Sequence, residues 1–119
     1  MSARITSAAL KGLVAVSAIS ALALSTTAWS RGNATAGQAK AKQVCAACHG
    51  ENGDKALQPD YPILAGQHAD YLAKALRDYK SGARKNAIMG AQAQTLTPQD
   101  IQDVAAWFAL QKSALSVKR

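Results

Sequence analysis

This chain is short of the side chains that build a self-sufficient core. It holds two cysteines, three prolines and one phenylalanine, and aromatic residues make up 5% of it. Past residue 30 the aromatics are Tyr61, Tyr71, Tyr79, Trp107 and Phe108, and alanine supplies much of the remaining apolar content. A domain this small buries a limited share of its surface and often needs a disulfide, metal or cofactor to be stable. No internal repeat, low-complexity linker or convincing strand alternation is visible beyond the first 30 residues, which leaves one small domain. Paired carboxylates and a Ser-His-Asp set are also missing, so no familiar acid–base or nucleophilic site competes for attention. Acidic residues are scarce: seven Asp and Glu stand against 14 Lys and Arg, a net charge of +7. The basic residues are scattered as on solvated helix faces, with no aromatic-interleaved stripe of the kind that binds nucleic acid. Such a balance suits acidic proteins or anionic membrane surfaces as partners.

The opening segment has the three-part layout of a secretory signal peptide. Arg4 and Lys11 form a basic start, Gly12 to Leu24 is uncharged and mostly apolar, and Ala28-Trp29-Ser30 fits a small-residue cleavage site. Ala34-Thr35-Ala36 fits the same rule, so the exact site stays open. Serines and threonines dilute the run, and its strongly apolar part is shorter than the roughly 20 residues that cross a bilayer. The expectation is a leader over 1–30, a mature domain over 31–119, and a periplasmic location. Membrane contact would then come only through partners or an uncleaved leader.

Three helices are expected. The first, about Ala34 to Ala46, places Gly37, Ala41 and Val44 on one small apolar face. The second, about His68 to Ser81, repeats Leu72, Ala75, Leu76 and Tyr79 at helical spacing; Asp70 stands four residues before Lys74, and Gly82 is a stop. The third begins with Thr97 as cap, Pro98 in the first position and Asp100 completing a capping box, followed by Ile101, Val104, Ala105 and Phe108. The fold class is all-α. Irregular chain is expected between Gly50 and Gln67 and between Gly82 and Thr97. Such loops fit poorly in a bare three-helix bundle but suit a chain wrapped around a cofactor.

Both cysteines and one of the two histidines lie in "VCAACHG", Val44 to Gly50. Cys45-Ala46-Ala47-Cys48-His49 is C-x-x-C-H, the attachment pattern for haem c. Each thiol can add to one porphyrin vinyl group, and the adjacent imidazole falls under the iron as proximal ligand. A zinc site would need a second ligand cluster, which the chain lacks. A thioredoxin-like pair belongs to a βαβ context, and a Cys45–Cys48 disulfide would close too short a loop to stabilise much. For the iron's other face the candidates are Met89, the one methionine besides Met1, and His68. Met89 lies in an irregular stretch where a side chain is freely aimed, and His68 sits at a helix start; Met89 is preferred, partly on the resemblance described next.

The ordered set "CAACHG", "YPILAGQHADYLAKAL" and "RKNAIMGAQAQTLTPQDIQDVAAWFA" resembles the class I c-type cytochromes. It is similar to single-domain, cytochrome c553-like proteins and to one half of the di-haem cytochrome c4 proteins. The resemblance spans about Gly37 to Gln111 and implies a small cytochrome c fold, with helices packed around one covalent haem. It implies thioether anchors at Cys45 and Cys48, axial ligands His49 and Met89, and a Pro62 carbonyl that holds the outer nitrogen of His49. Gly37 would let the first helix cross close to the last, near Trp107 and Phe108. Arg84 and Asn86 would reach a haem propionate or fix the Met89 loop. One C-x-x-C-H allows one haem, and no further cysteines exist for an extra disulfide.

An iron with histidine and methionine on its two faces has no free coordination site, and methionine favours the ferrous state. The functional expectation is an electron carrier rather than an enzyme, cycling between Fe(II) and Fe(III). Its partners would be larger redox proteins acting as donor and acceptor, with acidic docking surfaces as one candidate chemistry. The alternatives are a cytochrome subunit of a larger dehydrogenase or oxidase, or a gas-binding haem sensor.

Overall fold

A computed structural model describes residues 31–113. The leader expected over 1–30 lies outside the described residues. Five helices follow in order: α1 (Ala34–Val44), α2 (Ala46–His49), α3 (Ala69–Ser81), α4 (Ala87–Gln94) and α5 (Pro98–Ala109). No strand occurs among the described residues, so the fold is all-helical as expected.

α1 begins at Asn33, whose side-chain oxygen accepts from the N–H groups of Thr35 and Ala36, two of the donors a helix start leaves free. It was expected to run to Ala46 but stops at Val44. Cys45 then serves as cap between α1 and the single turn of α2, so the C-x-x-C-H residues straddle a break. On α1, Gly37 and Ala41 are buried against α5. A Cβ on Gly37 would lie 1.9 Å from the Asp103 carbonyl oxygen and 3.0 Å from Trp107 Cβ, so only glycine allows this crossing.

α3 starts one residue after His68 and ends at Gly82, which has φ 81° in the left-handed region expected for the stop. The anticipated Asp70–Lys74 pair does not form. Asp70 lies in the first turn, where its carboxylate accepts from the Tyr71 N–H, and Lys74 turns forward to pair with Asp78.

α5 carries the expected capping box. Thr97 Oγ1 accepts from the Asp100 N–H at 3.0 Å, and Asp100 Oδ2 accepts from the Thr97 N–H at 2.9 Å. Its buried face of Ile101, Val104, Ala105 and Phe108 packs against both α1 and α3. The core is completed by Ala41, Leu72, Ala73 and Leu96, of which only the leucines are large.

α4 corrects the reading of 82–97 as irregular. The chain turns helical once Asn86 caps it, with its side chain accepting from the Met89 N–H. Alanine, methionine and glutamine then propagate the helix. The longer connection, 50–68, has no helix. It is pinned to α5 by a Trp107 Nε1–H bond to the Glu51 carbonyl and a Gly66 N–H bond to the Phe108 carbonyl. At Gly53 (φ 70°) a Cβ would lie 2.7 Å from the Phe108 ring.

Candidate haem site

The break between α1 and α2 turns Cys45 and Cys48 toward a cavity, with His49 at the end of the short turn. Both thiols are half-buried and unbridged. Burial, with the nearby Cys48 adding to it, pushes the Cys45 thiol up to about 11. His49 is buried, and its Nδ1 lies 3.0 Å from the Pro62 carbonyl oxygen. A carbonyl only accepts, so Nδ1 carries the proton and donates, which leaves the Nε2 lone pair for a metal. Tyr61 packs beside it, with ring centroids 6.1 Å apart and planes tilted by 45°.

The cavity measures about 470 Å³, within the roughly 300–1,000 Å³ of sites that take cofactor-sized molecules. The apolar side chains of Leu72, Leu76, Leu96, Val104 and Phe108 line it, and the first two belong to the α3 stripe read from the sequence. Met89 lines the same cavity from the first turn of α4, on a different element from His49. His68 is exposed at the start of α3 and is not among the lining residues. Cys45, Cys48, His49, Pro62 and Met89 therefore share one cavity, and His68, the less favoured candidate, stays outside it.

Arg84 and Asn86 also border the cavity. Asn86 caps the turn that bears Met89 at 2.9 Å, while Arg84 lies 4.8 Å over the Tyr79 ring. A hydrogen bond to Tyr71, aided by Tyr79, holds the Arg84 pKa above its ordinary value. The sequence reading missed Tyr61 beside His49 and Tyr71 at the cavity; Tyr61 was detectable only as the neighbour of Pro62. Among the described residues no group of three or more His, Cys, Asp and Glu is arranged to hold a bare metal ion.

Two thiols at vinyl-matching spacing, an anchored imidazole, a thioether and apolar walls fit a haem better than any smaller group. The fold and site thus define a small helical haem protein of the covalently attached type.

A family profile described as cytochrome c matches residues 34–109. The chain belongs to the cytochrome c family, and Cys45 and Cys48 attach one haem c. Cytochrome c4 of Pseudomonas aeruginosa is 43% identical over 102 residues, covering 86% of this chain and 50% of that protein. Cytochrome c-554(548) of Halomonas halodenitrificans is 43% identical over 84 residues, covering 68% of this chain and 99% of that protein. The crystal structure of reduced recombinant cytochrome c4 from Pseudomonas stutzeri superposes with TM-score 0.64 at 41% identity, covering 70% of this chain and 47% of that one. The chain spans about half the length of the cytochrome c4 relatives it matches.

Proposed function

We propose that this chain is a periplasmic electron carrier, exported by the leader over 1–30, whose haem iron is held by His49 and Met89. The observation that carries this reading is the presence of His49 and Met89 on one apolar cavity already bordered by both anchoring cysteines. Haem supplies a one-electron couple between Fe(II) and Fe(III).

The protein's own residues hold that couple still. Pro62 fixes the His49 ring through the Nδ1 bond, so the imidazole presents Nε2 in one orientation. Met89, which lines the same cavity, would supply its thioether as the second ligand and would keep out water and small ligands. Leu72, Val104 and Phe108 exclude solvent from the site. An iron held by both side chains would leave no place for a substrate to bind the metal, which is the reason for reading a carrier rather than an enzyme. Larger redox proteins serve as donor and acceptor, and the excess of Lys and Arg favours partners with acidic docking surfaces. No helix among the described residues is long and apolar enough to cross a membrane.

The test is optical. Oxidised holoprotein should show the weak sulfur-to-iron charge-transfer band, and Met89→Ala should abolish it with haem still attached. Reduced wild-type protein should bind carbon monoxide slowly at neutral pH. Rapid binding would favour a gas sensor, and a band surviving in the variant would remove Met89 from the iron.

A further inference from the structure

α4 is a weakly buried carrier for a side chain whose position matters. Of its eight residues only Ala93 is buried, and Ile88 is 52% exposed, so little apolar area holds the helix down. Polar contacts at its two ends hold it instead. Asn86 caps the first turn, as described above.

At the other end Lys80 reaches across from the last turn of α3. Its Nζ donates to the carbonyl oxygens of Gln94 (3.2 Å), Ala93 (3.5 Å) and Leu96. Gln94 Nε2 donates back to the Lys80 carbonyl at 2.6 Å. The acceptors on Ala93 and Gln94 belong to the last turn of α4, where carbonyls lose their i+4 partners and the helix dipole favours a cation; the Ala93 oxygen also accepts from the Leu96 N–H at 3.2 Å. An ordinary solvated lysine does not gather three carbonyls and a returning amide bond.

We propose that Lys80 is a positioning residue for Met89. By clamping the end of α4 to α3, it sets how often that helix lifts and uncovers the iron's sixth position. This rests on the reading of Met89 as axial ligand. The clamp acts on the local opening of α4, so an external ligand's apparent affinity rises in proportion to the open fraction.

The experiment uses oxidised holoprotein and imidazole as the external ligand. Lys80→Leu keeps an apolar stem and removes every donor, while Lys80→Arg keeps donors. Losing hydrogen bonds from a charged group should raise imidazole affinity about tenfold or more in Lys80→Leu and weaken the charge-transfer band. Lys80→Arg should stay near wild type. Gln94→Ala removes the returning bond and should move affinity in the same direction by a smaller factor; it carries the test if Lys80→Leu fails to fold. A purely structural lysine would lower the melting temperature and leave imidazole affinity, measured well below it, unchanged, and that result overturns the clamp. If Met89→Ala loses the band while the Lys80 and Gln94 variants match wild type, the clamp alone falls. If Met89→Ala keeps the band, the ligand reading falls and the clamp with it.

Discussion

Gly37 of α1 and Asp103 of α5 meet backbone to backbone, with a Cβ on Gly37 standing 1.9 Å from the Asp103 carbonyl oxygen. Asp103 is also buried, and its Oδ1 accepts from the Asn33 N–H and from Gln99 Nε2, each at 2.7 Å. One residue thus sets both the spacing and the register of the first and last helices.

The first prediction follows from two opposed magnitudes. Replacing Gly37 by alanine gains about 1 kcal/mol of helix propensity. Forcing the helices apart costs about 1–3 kcal/mol, and more when backbone is the obstacle. The net effect of Gly37→Ala should be destabilising, seen as a lower guanidinium midpoint by far-ultraviolet circular dichroism. A stabilised variant would show that the helices do not make this contact.

The capping box gives the pH dependence. Burial pushes the Asp100 carboxyl upward, but bonds from the Thr97 N–H and hydroxyl, together with Lys40 at 3.4 Å, outweigh it and hold the pKa below the ordinary value. A depressed carboxyl stabilises the fold above its unfolded pKa of about 3.9 and loses that stabilisation as pH falls through the folded value. The difference between Asp100→Asn and wild type should therefore be fullest at pH 7 and shrink as the solution is acidified below about pH 3.9. Thr97→Ala should cost about 1 kcal/mol at pH 7. Parallel denaturation curves for wild type and Asp100→Asn over that whole range would contradict this.

Phe108 is 1% exposed, borders the haem cavity and presses its ring against Gly53. Truncation to alanine removes the largest fully buried side chain among the described residues and should cost about 3–5 kcal/mol. Phe108→Leu, closer in volume, should cost markedly less. Equal losses in the two variants, measured by chemical denaturation of holoprotein, would argue that packing volume is not what Phe108 supplies.

Removing the haem should remove the fold. The Cys45→Ser/Cys48→Ser double variant leaves an apolar cavity of about 470 Å³ inside a core whose larger members are few. Calorimetry should find no sharp unfolding transition. A cooperative melt close to that of holoprotein would show that the helices are self-sufficient.

Legibility from sequence differed by element. α5 was fully readable because three independent signals, Thr97, Pro98 and Asp100, agreed with its apolar spacing. The Cys45–Cys48–His49 motif was readable because its chemistry is local, and the convergence of Met89 on the same cavity was anticipated by the resemblance. α4 was missed because it buries one residue and so has no apolar stripe, and Gly90 sits at its middle. Lys80 was missed because its partners lie 13 to 16 residues on, a distance no periodicity reports. The Asp70–Lys74 pair was overcalled because spacing does not reveal that a first-turn carboxylate is already engaged with backbone.

The bond from Asn33 to Asp103 spans 70 positions, and the helix that fills the core is the last among the described residues. α1 and α3 both pack on α5, so the faces they turn toward it have no partner until residues 101–108 have been synthesised. At roughly 5–20 residues per second, most of the chain emerges seconds before it can close. Closing so long a loop before any core forms is entropically uphill. Folding of this domain is therefore deferred until α5 has been made, and nothing walls in Cys45 and Cys48 before then. The order of the helices along the chain thus leaves an interval in which Cys45 and Cys48 can react before the domain locks around them.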